Sequence, residues 1–267
     1  MDAPMVELAG VGRTYRSDSG LEVDALRAVD LSIRAGEFVV VVGPTGCGKT
    51  TLLNLVSGLD RPDAGAIRLS GGLVPGANMP CVMQHYTLFP WRTLLRNVAF
   101  GPQMRGVPRG ERTLLAEALL AKVGLDGFED SYPHELSGGM RQRAAIAQAL
   151  ATEPRLLLMD EPFGAVDDAT RRELQGMIID VRREMGLAVL MVTHSIDEAI
   201  VLADRVVVLS HRPGRVVAEV PVNLDRPRGE ATRASPEFFA HVNRVRSALR
   251  AAPDDTSAGP DTNAAAD

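Results

Sequence analysis

The run Gly43-Pro44-Thr45-Gly46-Cys47-Gly48-Lys49-Thr50 fits the pattern G-x-x-x-x-G-K-[ST]. Residues of these types at this spacing bind phosphate. Glycines let the backbone wrap an anion without Cβ clashes. Successive N–H groups and the N-terminus of the following helix then point at it. Lys49 supplies a point charge for β- and γ-phosphates, Thr50 offers its hydroxyl to Mg²⁺, and Thr51 is placed to touch an α-phosphate. Lys49 and Lys122 are the only lysines in a chain that otherwise uses arginine, so the lysine in the loop stands out.

A second constellation is Leu156-Leu157-Leu158-Met159-Asp160-Glu161-Pro162, an apolar run ending in two carboxylates. A strand sends adjacent side chains to opposite faces, so Asp160 and Glu161 should point differently. Asp160 can then hold Mg²⁺ through water, and Glu161 can polarise an attacking water as general base. An Asp-Glu pair at a strand end is weak evidence by itself. Beside a phosphate loop on another buried strand it completes a site for phosphoryl transfer to water.

These groups need rigid elements behind them. Phe38 to Val42 is a continuous apolar run bounded by Glu37 and Gly43, the pattern of a strand buried on both faces of a parallel sheet. Leu156 to Met159, Ala188 to Val192 and Val206 to Leu209 read alike. Helical segments lie between them at Thr50 to Ser57, Glu111 to Val123, Gly138 to Thr152, Ala169 to Met185 and Ile196 to Ala203. This alternation predicts an α/β fold. Residues 93–152 read as helical with no strand, an insertion in the α/β core. Met5 to Arg34 alternates like antiparallel strands. The expected organisation is a core over 1–92 and 153–225, a helical subdomain over 93–152, a helical extension over 226–250, and a disordered tail over 251–267 rich in Ala, Asp, Gly and Pro.

Leu136-Ser137-Gly138-Gly139-Met140-Arg141-Gln142-Arg143 narrows the reading. Ser137 is placed as an N-cap, and Gly138 and Gly139 expose N–H groups at a positive helix end, a second anion site. The run resembles the LSGGQ signature of ATP-binding-cassette proteins, with Met140 where Gln is usual. The resemblance spans roughly residues 5 to 250 and implies a P-loop NTPase fold: a RecA-like parallel sheet, an N-terminal antiparallel β subdomain and an inserted α-helical subdomain. It implies ATP and Mg²⁺ as ligands, ATP hydrolysis coupled to transport, and a head-to-tail dimer. In such a dimer the signature of one subunit closes over ATP held by its partner's phosphate loop. Gln84 matches the family's Q-loop residue, which senses Mg²⁺ and the attacking water. His194 matches its switch histidine. Gly164-Ala165-Val166-Asp167 resembles the D-loop, with Val166 where Leu is usual and Asp167 reaching across the interface. Tyr15 fits the aromatic that stacks on adenine, or only packs at a strand end.

The chain carries a formal net charge of -5, so it has no bulk attraction to nucleic acid. Cys47 and Cys81 make neither a metal motif nor a disulfide framework and suit a reducing setting. No apolar run approaches the roughly 20 residues needed to span a bilayer. The resemblance therefore implies a peripheral place on the cytoplasmic face of the membrane, with separate permease subunits and, indirectly, a solute-binding protein. Phe89-Pro90-Trp91, Pro162-Phe163-Gly164-Ala165, Arg212-Pro213-Gly214-Arg215 and Phe238-Phe239 together resemble importer ATPases for nitrate, sulfonate and taurine. Trp91, the single tryptophan, is either an exposed anchor for a permease or packing for the helical subdomain. Exporter ATPases share every catalytic residue and remain an alternative. A DNA- or ribosome-associated cassette protein is disfavoured by the acidic balance and the lack of a long heptad array.

Overall fold

The computed structural model describes residues 3–16, 20–84, 88–164 and 166–252. In chain order the strands are β1 (Val6–Arg16), β2 (Glu22–Ile33), β3 (Phe38–Val42), β4 (Ala64–Leu69), β5 (Cys81–Val82), β6 (Leu156–Asp160), β7 (Ala188–Thr193), β8 (Arg205–Leu209) and β9 (Val216–Pro221). The helices are α1 (Lys49–Ser57), α2 (Leu94–Val98), α3 (Phe100–Met104), α4 (Arg109–Lys122), α5 (Gly138–Leu150), α6 (Asp168–Met185), α7 (Ile196–Leu202), α8 (Glu230–Arg233) and α9 (Pro236–Ala251).

The sheet that carries the site has the order β5-β6-β7-β3-β8-β9. Its pairings are parallel from β5 through β8, and β9 closes the edge antiparallel to β8. Every residue of β3, β6 and β7 is buried, because both faces are covered. Alternation assigns those faces. Phe38, Val40 and Val42 point into a core shared with α4, α5, α6 and α7, as do Leu157, Met159, Val189 and Met191. Val39, Val41, Leu156, Leu158 and Leu190 point the other way, into a core with α1 and the N-terminal strands. Those strands form a separate antiparallel sheet of order β2-β1-β4.

The helical region begins at α2, whose N-cap Thr93 accepts a hydrogen bond from Arg96 N. It packs through Leu94, Val98, Leu119, Leu120 and Ile146 onto the same core as the parallel sheet. Before Gln84 the strand β5 is no longer than Cys81–Val82, whose two residues pair with Leu158 and Met159 of β6. The expected helix to Thr152 stops at Leu150. Ala251, expected to open the tail, instead closes α9. The remainder of that tail, from 253, lies outside the described residues.

At the N-terminal edge of the parallel sheet, Asp204 joins three elements. It accepts from Phe38 N at 2.9 Å, from Arg182 at 2.5 Å and from Arg226 at 2.8 Å. Burial alone would raise its carboxyl pKa, yet the Phe38 amide and the two guanidinium groups hold it below the usual value. No helix among the described residues is long and apolar enough to cross a membrane.

Candidate functional site

The C-terminal ends of the parallel strands converge on a cleft of about 550 Å³. The phosphate loop follows β3 and turns into α1 at Gly48, whose φ of 103° lies in the left-handed region. A Cβ there would also sit 2.7 Å from Ala25 O, so the turn requires glycine both for conformation and for space. Lys49 is buried, and its Nζ donates to Gly43 O at 2.9 Å and to Pro44 O at 3.0 Å. The ammonium is thus held inside the arc of the loop. Cys47 is buried beneath it, and burial pushes its thiol pKa up while the Lys49 charge opposes this.

Tyr15, Thr45, Gly46, Gly48, Lys49, Thr50, Thr51, Gln84, Glu161 and His194 all line this cleft. Sequence reasoning named each of them. Gly43 and Pro44 line an adjoining hollow that shares Thr45 and His194. Tyr15 lies at the far end with its hydroxyl donating to Asp60 at 3.0 Å, and Arg13 covers one face of its ring at 4.8 Å.

Asp160 and Glu161 part at the point where β6 ends. Asp160 ends β6 and is buried. Burial pushes its carboxyl up, the neighbouring Glu161 charge adds to this, and a hydrogen bond with Thr50 and the Lys49 charge oppose it. Glu161 then takes a φ of 44°. A left-handed backbone at a non-glycine residue costs about 1–2 kcal/mol, and such strain gathers at functional sites. It turns the Glu161 carboxylate to His194, whose Nδ1 lies 3.0 Å from Oε2. The Glu161 amide is anchored on Val192 O of β7 at 3.0 Å.

Thr50 hydroxyl, Asp160 carboxylate and Gln84 amide are oxygen groups, the donor type that Mg²⁺ prefers. Among the described residues there is no cluster of three or more His, Cys, Asp and Glu suited to a metal. A cation here would draw its remaining ligands from phosphate and water, the usual habit of Mg²⁺ at nucleotide sites.

The structure keeps Ser137, Gly138, Gly139 and Asp167 apart from the residues that line the cleft. Ser137 is exposed and caps α5, accepting from Met140 N at 3.3 Å. Asp167 is exposed and caps α6, accepting from Ala169 N at 3.1 Å and Thr170 N at 3.0 Å. These bonds to Thr170 lower its carboxyl pKa. The two helix starts touch, since a Cβ on Gly139 would fall 2.6 Å from Thr170 Cγ2. Ala165 lies outside the described residues.

Val23, Ala25 and Arg212 also line the cleft, and the sequence reading did not place them there. Val23 and Ala25 alternate along β2, a spacing that puts both on one face. Arg212 had been noted only as part of a resemblance. Its loop is pinned to β2, with Gly214 N donating to Ala25 O at 2.9 Å and Arg27 N donating to Gly214 O at 3.0 Å.

Comparison with known proteins follows the same lines. The family profile described as ABC transporter matches residues 26–164. The chain is 44% identical over 255 residues to the nitrate import ATP-binding protein NrtD of Synechocystis sp., covering 92% of this chain and 95% of that one. It is 43% identical over 248 residues to the taurine import ATP-binding protein TauB of Yersinia pestis, covering 90% and 95%. An uncharacterized ABC transporter ATP-binding protein of Methanocaldococcus jannaschii is 47% identical over 234 residues, covering 87% and 86%. Among solved structures, the dimeric post-hydrolysis state of the ATP-binding cassette MJ0796 with ADP and Pi superposes with a TM-score of 0.72 at 32% identity. That match covers 83% of this chain and all of the other. A phosphate loop on a doubly covered parallel sheet, an inserted helical region and relatives of nearly equal length agree, and the chain belongs to the ABC transporter family as one of its ATP-hydrolysing, ATP-binding proteins.

Proposed function

We propose that this protein is the ATP-hydrolysing subunit of an importer for a small oxyanion-type solute such as nitrate, a sulfonate or taurine. It would sit against the cytoplasmic side of the membrane, bound to separate permease subunits. A solute-binding protein outside the membrane would select the cargo. Identities of 43–44% to nitrate and taurine import ATP-binding proteins over nine-tenths of the chain support the solute class.

The cleft residues that the sequence singled out each have a part in this reading. Lys49 binds the β- and γ-phosphates, and loop amides from Thr45 to Thr51 cradle them. Thr50, Asp160 and Gln84 would hold Mg²⁺, which, when bound, neutralises phosphate charge. Glu161 accepts a proton from the attacking water. His194 keeps the Glu161 carboxylate oriented through its 3.0 Å contact. Tyr15 takes the adenine. Ser137, Gly138, Gly139 and Asp167 act on nucleotide held by a second subunit, most simply another copy of this chain.

The observation that carries the reading is the strained Glu161 backbone, which aims the carboxylate into the phosphate-loop cleft beside His194. Glu161→Gln should lower ATP turnover by about 10²- to 10⁴-fold, the usual contribution of a positioned base, while binding persists. Size-exclusion chromatography with ATP should then show a stable dimer. A Glu161→Gln protein that turns over ATP at the unaltered rate would refute the assignment.

A further inference from the structure

Arg171 is bound to both of the loops that meet at Glu161 and His194. It lies in the first turn of α6, and its guanidinium donates to Phe163 O at 3.4 Å and to Val166 O at 3.0 Å. Those carbonyls belong to the segment that leaves Glu161 and ends at Asp167. The Arg171 Nε also lies 3.5 Å from Glu198 Oε1, across on α7. Glu198 is buried, and its other oxygen accepts from Thr193 Oγ1 at 2.8 Å. Thr193 Oγ1 in turn accepts from Ser195 N at 3.1 Å, and Ser195 Oγ accepts from Glu198 N at 3.3 Å. His194 sits inside that ring of bonds. A hollow of about 300 Å³ separates the two loops, with Glu161, His194, Thr193, Arg171 and Glu198 around it.

We propose that Arg171 and Glu198 form a positioning pair that locks the Phe163 and Val166 carbonyls to the junction of β7 and α7, so that His194 meets Glu161 only while Val166 and Asp167 are seated. The physical grounds are direct. A buried carboxylate requires a partner, and here burial raises the Glu198 pKa while Thr193 and Arg171 oppose it. A planar guanidinium offers five N–H donors in a fixed fork, which sets the directions in which it holds two carbonyls and a carboxylate, whereas an ammonium acts as a point charge without that fork. Asp167 stands on the surface next to Val166, so a neighbour that displaces it moves Val166 and the Arg171 clasp with it. The motion then reaches Thr193 and the His194–Glu161 contact.

The inference rests on Glu161 being the base, and the test separates the two claims. Steady-state ATP hydrolysis is measured for Arg171→Ala, Glu198→Gln and the double variant, with Glu161→Gln as reference. Each single variant should lose about tenfold or more in kcat, with KM for ATP unchanged within about twofold. The double variant should be no slower than the worse single, because the two groups act as one. Arg171→Lys keeps the charge but not the fork and should fall between Arg171→Ala and the unaltered protein. An unaltered kcat in folded Glu198→Gln overturns the coupling, even where Arg171→Ala does not fold. So do losses that multiply in the double variant. Either result alongside an inactive Glu161→Gln leaves the base assignment standing, whereas full turnover by Glu161→Gln removes the base and the coupling together.

Discussion

Lys49 shows how much of the residue chemistry is set by spacing alone. The motif places an ammonium where loop carbonyls can hold it, and Gly43 O and Pro44 O do so. Removing it leaves phosphate charge without its partner in a closed site. Lys49→Ala should weaken ATP binding by about 1.5–3 kcal/mol or more, the value of a hydrogen bond to a charged group. Titration with a fluorescent ATP analogue checks this, and affinity within twofold of the unaltered protein would contradict it. Asp160 and Glu161 were likewise legible as two carboxylates closing an apolar run, although the alternation of β6 stops at Asp160 and does not orient Glu161. The left-handed φ at Glu161 was not legible. It arises from tertiary anchoring on Val192, which no local pattern announces. Arg171 and Glu198 were silent for the same reason, since they lie 27 positions apart on different helices and meet only in the folded chain.

At the scale of elements, the continuous apolar runs identified β3, β6, β7 and β8, because strands covered on both faces need apolar residues at every position. Edge strands β4 and β9 carry mixed burial and gave no such signal. The short β5 is defined only by its pairing. The edge of the sheet away from the cleft has its own chemistry at Asp204. Its folded pKa lies below 3.8, so its contribution to stability is full above that value and is lost as the pH falls through the folded pKa. Asp204→Asn should therefore be less stable than the unaltered protein at pH 6, and the gap should close as the pH falls below 3.8. Thermal melts across that range measure it, and a gap independent of pH would show that the carboxylate charge is not what binds Phe38, Arg182 and Arg226.

The whole molecule presents a cleft and, elsewhere on its surface, exposed helix starts at Ser137 and Asp167 that do not line it. The head-to-tail pairing proposed for the chain rests on the family resemblance, since no residue pattern states which copy a helix start serves. Trp91 resolves a sequence ambiguity, because 70% of it is exposed beside Phe89 rather than packed into the core. Trp91→Ala should leave basal ATP hydrolysis intact and abolish its stimulation by reconstituted permease; full transport by that variant would remove Trp91 from the interface. The contact of Gly139 with Thr170 reaches furthest. It wedges the starts of α5 and α6 into one edge, so neither can be altered without the other yielding. Gly139→Ala should cripple ATP turnover, and a screen for revertants should return Thr170→Ser, which sheds the offending methyl and keeps a hydroxyl for Asp167. Revertants scattered elsewhere in the chain would mean that the edge is not a single wedge.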